Sequence, residues 1–142
     1  MKSRIIHTES EEETVALGET LAAELPARAV VLLIGNLGAG KTTLAKGIVK
    51  GLGAARPDEV SSPTFTLIHE YSPSVYHIDL YRLDTAAQVA TLGLEEIFDR
   101  EAVVLIEWGE KFLALMPEDR MEIRLRATGE NLREIEIQDL RC

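Results

Sequence analysis

The spacing of apolar positions changes period several times along the chain, and each change marks an element. Val30-Val31-Leu32-Leu33-Ile34 is an unbroken apolar run rich in β-branched residues, the pattern of a strand buried on both faces. From 42 to 52 the apolar positions return at helical spacing, with Leu44, Ile48 and Leu52 on one face, and the segment stops at Gly51-Leu52-Gly53, a glycine-rich C-terminal signal. Upstream, 8–25 predicts a helix with an apolar stripe of Val15, Leu17, Leu21, Ala22 and Leu25. Thr8 and Ser10 are its possible caps, Ser10-x-x-Glu13 fits a capping box, and Pro26 marks its end.

Further on, 64–71 and 75–81 alternate apolar and polar across Ser72-Pro73-Ser74, which predicts an antiparallel hairpin. The segment 84–98 predicts a helix capped by Asp84 or Thr85, with Gly93 as its weak point. Ala102-Val103-Val104-Leu105-Ile106 is a second buried-type strand ending at Glu107, and 108–115 a short helix stopped by Pro117. Strict alternation over 121–126 and 133–137 predicts a second hairpin closed through 127–132. This order implies a compact α/β domain with a mixed sheet.

Composition narrows the picture. At 142 residues and 46% hydrophobic content, one domain over 1–142 with one core is expected. No apolar run approaches the ~20 residues of a membrane-spanning helix, and the N-terminal residues lack the apolar core of a signal peptide. The lone Cys142 leaves no internal disulfide, so a cytoplasmic protein is expected. The net charge of −9 does not supply the basic footprint that a nucleic-acid backbone requires. Arg120, Arg124, Arg126 and Arg133 lie close in sequence and form either a local basic cluster or, for most of them, a solvated strand face. The excess acid suits docking on a basic protein.

The chemistry centres on Gly35-Asn36-Leu37-Gly38-Ala39-Gly40-Lys41-Thr42, followed by Thr43. It fits G-x-x-x-x-G-K-[ST] without a mismatch, between an expected strand and an expected helix. Glycines let backbone N–H groups turn toward a polyphosphate, and the helix N-terminus adds a positive dipole end. Lys41 would reach the β- and γ-phosphates and the Thr42 hydroxyl a Mg²⁺ ion. Hydrolysis or transfer needs a second carboxylate, and Glu107 at the end of an apolar strand supplies one, with Glu in place of the commoner Asp. Asp79 is another acid, sharing a strand face with His77 and Tyr81. It either holds a Mg²⁺-bound water, orients the attacking water, or pairs with Arg82 or Lys41. Ser62 or Thr64 hydroxyls stand where nucleotide switches sense a γ-phosphate, unless Ser-Pro-Thr merely starts a strand. Trp108 would flank the metal site. His7 and His69 have no metal-ligand spacing. The expected fold is therefore a P-loop NTPase-like three-layer α/β fold with a mixed, mainly parallel central sheet and antiparallel hairpins.

Four segments in order — 35–43, Ser62-Pro63-Thr64-Phe65-Thr66-Leu67, Tyr76-His77-Ile78-Asp79-Leu80-Tyr81-Arg82-Leu83 and Leu105-Ile106-Glu107-Trp108 — resemble the TsaE family, small bacterial P-loop ATPases of tRNA threonylcarbamoyladenosine biosynthesis. The phosphate loop is widespread; the other segments are more particular to that family. The resemblance covers essentially the whole chain. It implies a Mg-dependent ATPase, weak alone, that joins the TsaD–TsaB pair and permits multiple turnovers of threonylcarbamoyl transfer to adenosine 37 of tRNA. The tRNA would be met only through those partners. Matching positions assign the nucleotide to Leu37, Gly38, Ala39, Gly40, Lys41, Thr42 and Thr43, with Trp108 beside it. Thr42 and Glu107 are assigned the metal, and Lys41, Asp79 and Glu107 the chemistry. Thr8 and Arg133 match further nucleotide contacts through short local likenesses.

Two other classes share parts of this pattern. A small-molecule or nucleotide kinase has the same loop but usually adds a substrate-binding insertion and an arginine-rich lid, and no stretch here is long enough for either. A non-hydrolysing ATP-dependent scaffold would tolerate loss of Asp79 or Glu107 while nucleotide still binds.

Overall fold

The structure, a computed structural model, describes residues 2–36, 38–61 and 67–141. Leu37 and 62–66, with Ser62 and Thr64 among them, lie outside the described residues. The elements are β1 (Lys2–Thr8), α1 (Glu11–Glu24), β2 (Ala29–Ile34), α2 (Lys41–Gly51), β3 (Ile68–Ser72), β4 (Val75–Asp79), α3 (Ala86–Ala90), α4 (Leu94–Phe98), β5 (Val103–Glu107), β6 (Met121–Ala127) and β7 (Arg133–Asp139), with tighter 3-10 turns at Pro57–Glu59 and Gly109–Leu115.

All strands join one sheet in the order β1-β7-β6-β2-β5-β4-β3. Its centre is parallel, β2 pairing with β5 and β6, and β4 with β5. Antiparallel hairpins flank it, β3–β4 on one side and β6–β7 on the other, with β1 outside β7. Alternation along β2 explains why both faces are dry. Val31 and Leu33 pack with Leu44, Ile48 and Val49 of α2 and Leu21 of α1. Val30 and Leu32 pack with Val89 of α3, Ile97 and Phe98 of α4, and Met116. The result is two helical layers about a central sheet.

Three expectations need correction. The helix expected from residue 8 begins only at Glu11, capped by the Ser10 hydroxyl accepting from the Glu13 amide at 3.1 Å. The residues before it form β1, whose pairing with β7 lies more than 120 positions away in sequence and leaves no local mark. The helix expected over 84–98 is two helices, because Gly93 takes a left-handed φ of 69° that no α-helix contains. The segment after Trp108 is a kinked 3-10 stretch, with Phe112 non-helical inside it.

The α1–α2 contact is unusually close. A Cβ on Gly18 would lie 2.6 Å from the Leu44 carbonyl oxygen, and one on Gly47 would overlap the Val15 carbonyl oxygen. These glycines let the helix that follows the glycine loop sit directly against its neighbour.

Candidate functional site

The site lies at the carboxyl ends of the parallel strands, where open α/β sheets form their binding crevices. β2 ends at Ile34 and the chain crosses to α2 through the glycine loop. Gly40 opens α2 at φ 101°, a left-handed conformation that a side chain would strain. That conformation turns the chain into the helix so that the first-turn amides, which have no intrahelical acceptor, face the crevice. Lys41, Thr42, Asp79, Glu107, Trp108 and Arg133 all line one cavity of about 430 Å³. Gly38, Gly40 and Thr43 line it as well.

Lys41 is the most telling of these. It is buried, and its Nζ has no hydrogen-bond partner among the described residues. The ammonium instead sits 3.8 Å from the centre of the Trp108 ring, a cation–π contact. Burial holds its pKa below the ordinary lysine value, opposed by the negative charges of Glu107, Glu110 and Asp79. Trp108 reaches this position through a left-handed φ of 65°, rare for a non-glycine residue. Its other neighbour is Tyr81, 5.0 Å away between ring centres. An unpartnered cation of this kind is suited to an anion arriving from solvent.

Opposite it stand the acids. Register places Asp79 of β4 beside Glu107 of β5. Asp79 Oδ1 accepts the Tyr81 backbone N–H at 2.8 Å. Glu107 Oε2 accepts from Thr42 Oγ1 at 3.4 Å and bonds His77 Nε2 at 2.6 Å. The Thr42–Glu107 oxygen pair is suited to a hard divalent cation. Among the described residues no group of three His, Cys, Asp or Glu side chains forms an all-protein metal cage. Mg²⁺ sites characteristically complete their octahedron with phosphate oxygens and water.

Arg133, at the start of β7, bridges the loop and the second hairpin. Its Nη2 donates to the Gly38 carbonyl at 3.3 Å and its Nη1 to the Leu132 carbonyl at 2.9 Å. Ala39 is buried beneath the loop and donates its N–H to the Asn36 carbonyl at 3.1 Å. Thr8 stands apart from the cavity wall: its hydroxyl is buried against that of Thr14 at 2.7 Å. Glu11 does line the cavity. A first-turn glutamate is the ordinary choice for a helix start, so nothing in the sequence marks Glu11. Alternation places His77 on the face of Asp79, and the fold makes it a direct partner of Glu107.

Three of the four clustered arginines are paired with acids. Arg120 and Arg124 both pair with Glu122, at 2.7 and 3.0 Å, and Arg126 with Glu134 at 2.9 Å. No helix among the described residues is long and apolar enough to cross a membrane.

The three layers, with a glycine loop at the carboxyl edge of the central sheet, make the fold P-loop NTPase-like. A family model described as threonylcarbamoyl adenosine biosynthesis protein TsaE matches residues 8–135. The chain is 41% identical over 138 residues to the tRNA threonylcarbamoyladenosine biosynthesis protein TsaE of Bacillus subtilis, covering 95% of this chain and 85% of that one. It is 37% identical over 130 residues to the protein of the same name from Treponema pallidum, covering 90% and 95%. The crystal structure of Bacillus subtilis YdiB superimposes with a TM-score of 0.79 at 34% identity, covering 98% of this chain and 86% of that one. The chain belongs to the TsaE family of tRNA threonylcarbamoyladenosine biosynthesis.

Proposed function

We propose that this chain is a Mg-dependent ATPase that acts with TsaD and TsaB to permit repeated rounds of tRNA threonylcarbamoyladenosine formation. The observation that supports it best is the buried, unpartnered Lys41 ammonium in a cavity shared with Thr42 and Glu107. A triphosphate satisfies that cation and the first-turn amides of α2 together. Mg²⁺ fits the Thr42 hydroxyl and the Glu107 carboxylate by donor chemistry, and when bound it neutralises charge on the phosphoryl oxygens. Lys41 holds the terminal phosphates. Asp79, its carboxylate fixed by the Tyr81 amide, orients the attacking water. Arg133 holds the loop to β7 through the Gly38 carbonyl.

The acid excess of the whole chain and the acid-paired Arg120, Arg124 and Arg126 support leaving tRNA contact to the partner proteins. The test is reconstitution of threonylcarbamoyladenosine formation over several turnovers with TsaD and TsaB, adding wild type, Lys41→Ala or Thr42→Ala. Wild type should extend product beyond the first turnover and both variants should fail to. Unchanged ATP hydrolysis by the variants would reject the assigned site.

A further inference from the structure

We propose that His77 is the positioning residue of the Glu107 carboxylate, and that divalent-cation affinity at this site depends on that one hydrogen bond. The inference rests on the reading of Thr42 and Glu107 as the cation's protein ligands.

The register sets the two side chains together. His77 pairs with Leu105, and Glu107 lies two residues further along the same strand. Residues so related are diagonal neighbours on one face of the sheet. The imidazole is fully buried and the Glu107 side chain is 4% exposed, so water does not compete for their 2.6 Å contact. A carboxylate that ligates a metal is deprotonated and only accepts, so in that role Glu107 requires the proton of the bond on His77 Nε2. The Tyr71 ring lies 6.4 Å from the imidazole between centres, and His69 pairs with His77 in the β3–β4 register.

The choice of Glu107 over a shorter acid explains the need for such a partner. A glutamate at a strand end has one more rotatable bond than an aspartate, and its carboxylate wanders unless something stops it. His77 stops it at Oε2, the same oxygen that faces the Thr42 hydroxyl at 3.4 Å. Hydrogen-bond partners of this kind orient metal-binding side chains, and their loss typically weakens metal affinity about 10- to 100-fold.

The test measures Mn²⁺ binding by electron paramagnetic resonance, with the non-hydrolysable analogue AMPPNP saturating the protein. His77→Phe should bind Mn²⁺ roughly 10- to 100-fold more weakly, while AMPPNP affinity in EDTA stays within about twofold of wild type. His77→Gln, whose amide nitrogen can reach the former Nε2 position, should recover most of the loss. A purely structural histidine would lower thermal stability in both variants and leave Mn²⁺ affinity alone; that result overturns the proposal. Equal Mn²⁺ affinity in wild type and a folded His77→Phe overturns it too. Should His77→Phe not fold, His77→Asn, whose shorter amide falls short of the former Nε2 position, is compared in wild-type and Glu107→Gln backgrounds. A loss of Mn²⁺ affinity that vanishes with Glu107 gone supports the proposal; no loss in the wild-type background, or an equal loss in both, sinks it. Failure of wild type to bind AMPPNP in EDTA is a separate outcome that rejects the nucleotide site itself, and Mn²⁺ binding that is insensitive to Glu107→Gln removes the proposal with its premise.

Discussion

Asp79 and Glu107 face each other in register at the carboxyl ends of β4 and β5, yet their carboxylates are held by different groups. Asp79 accepts the amide of its own chain at Tyr81, while Glu107 is bound to His77 and approached by Thr42. Both are almost completely buried. Two acids in one crevice with separate anchors are equipped for separate tasks.

That division predicts different failures. Asp79→Asn keeps an oxygen for the Tyr81 amide, so ATP and Mg²⁺ should bind within a few-fold of wild type while hydrolysis falls roughly a hundredfold or more. Glu107→Gln removes the charge of the proposed metal ligand, so the Mg²⁺ concentration for half-maximal hydrolysis should rise about tenfold or more. Steady-state hydrolysis against Mg²⁺ concentration, with nucleotide binding by calorimetry, separates the two. Identical profiles would merge the roles.

Lys41 trades stability for binding. An ammonium without a hydrogen-bond acceptor is costly to bury, and the Trp108 face returns only part of that cost. Lys41→Met keeps the aliphatic stem and removes the charge. Without nucleotide it should be more stable than wild type by about 1 kcal/mol, read by urea unfolding at neutral pH. The advantage should shrink at alkaline pH. The folded-state pKa is depressed below 10.5, so between the two values the unfolded chain holds more protons and wild-type stability rises with pH. ATP should raise the melting temperature of wild type and leave Lys41→Met unmoved.

Glu110 has the opposite electrostatic sign. Burial holds its pKa above the ordinary 4.5, with Lys41, Arg124 and Lys111 opposing, and its Oε1 has no hydrogen-bond partner among the described residues. Below pH 4.5 the acid is neutral in both states and the penalty is absent. As the pH rises through the folded pKa, the folded state must ionise a half-buried carboxyl and loses stability. Glu110→Gln should therefore be stabilising at pH 7 and neutral near pH 4. Unfolding curves at both pH values check the sign, and a variant destabilised at pH 7 would show that the charge is needed beside Lys41.

The parts of this fold legible in the sequence are those with local signals. β2, α2, β5 and both hairpins follow from period and turn chemistry, and the glycine loop with Lys41 and Thr42 follows from a fixed string. Of the two acids lining the cavity, Glu107 is legible because it ends an apolar run, and Asp79 because it shares a strand face with His77 and Tyr81. β1 was not, since Ile5 faces solvent at 56% exposure while Ile6 is packed inward, and the strand exists only because β7 lies beside it. The His77–Glu107 bond was equally hidden: it joins residues 30 apart through parallel register, which no spacing rule reports. The short likeness that marks Thr8 as a nucleotide contact carries no sign of its hydroxyl's bond to Thr14.

The glycines between α1 and α2 make the last prediction. Gly47 lies in α2, the helix whose first residues are Lys41 and Thr42, and a Cβ there would run into the Val15 carbonyl. The obstacle is backbone, so no rotamer change relieves it. Gly47→Ala must push α1 and α2 apart, and overpacking of this kind costs about 1–3 kcal/mol, against the roughly 1 kcal/mol that alanine ordinarily gains over glycine in a helix. The variant should be less stable than wild type by urea unfolding. Lys46→Ala, in the same helix at a half-buried position, is the control and should shift stability by less than about 1 kcal/mol. Because α2 bears Lys41 and Thr42 at its start, Gly47→Ala should also weaken ATP binding, whereas Lys46→Ala should not. A Gly47→Ala protein as stable as wild type would mean that the two helices can separate freely, and that their close approach does not set the position of the phosphate loop.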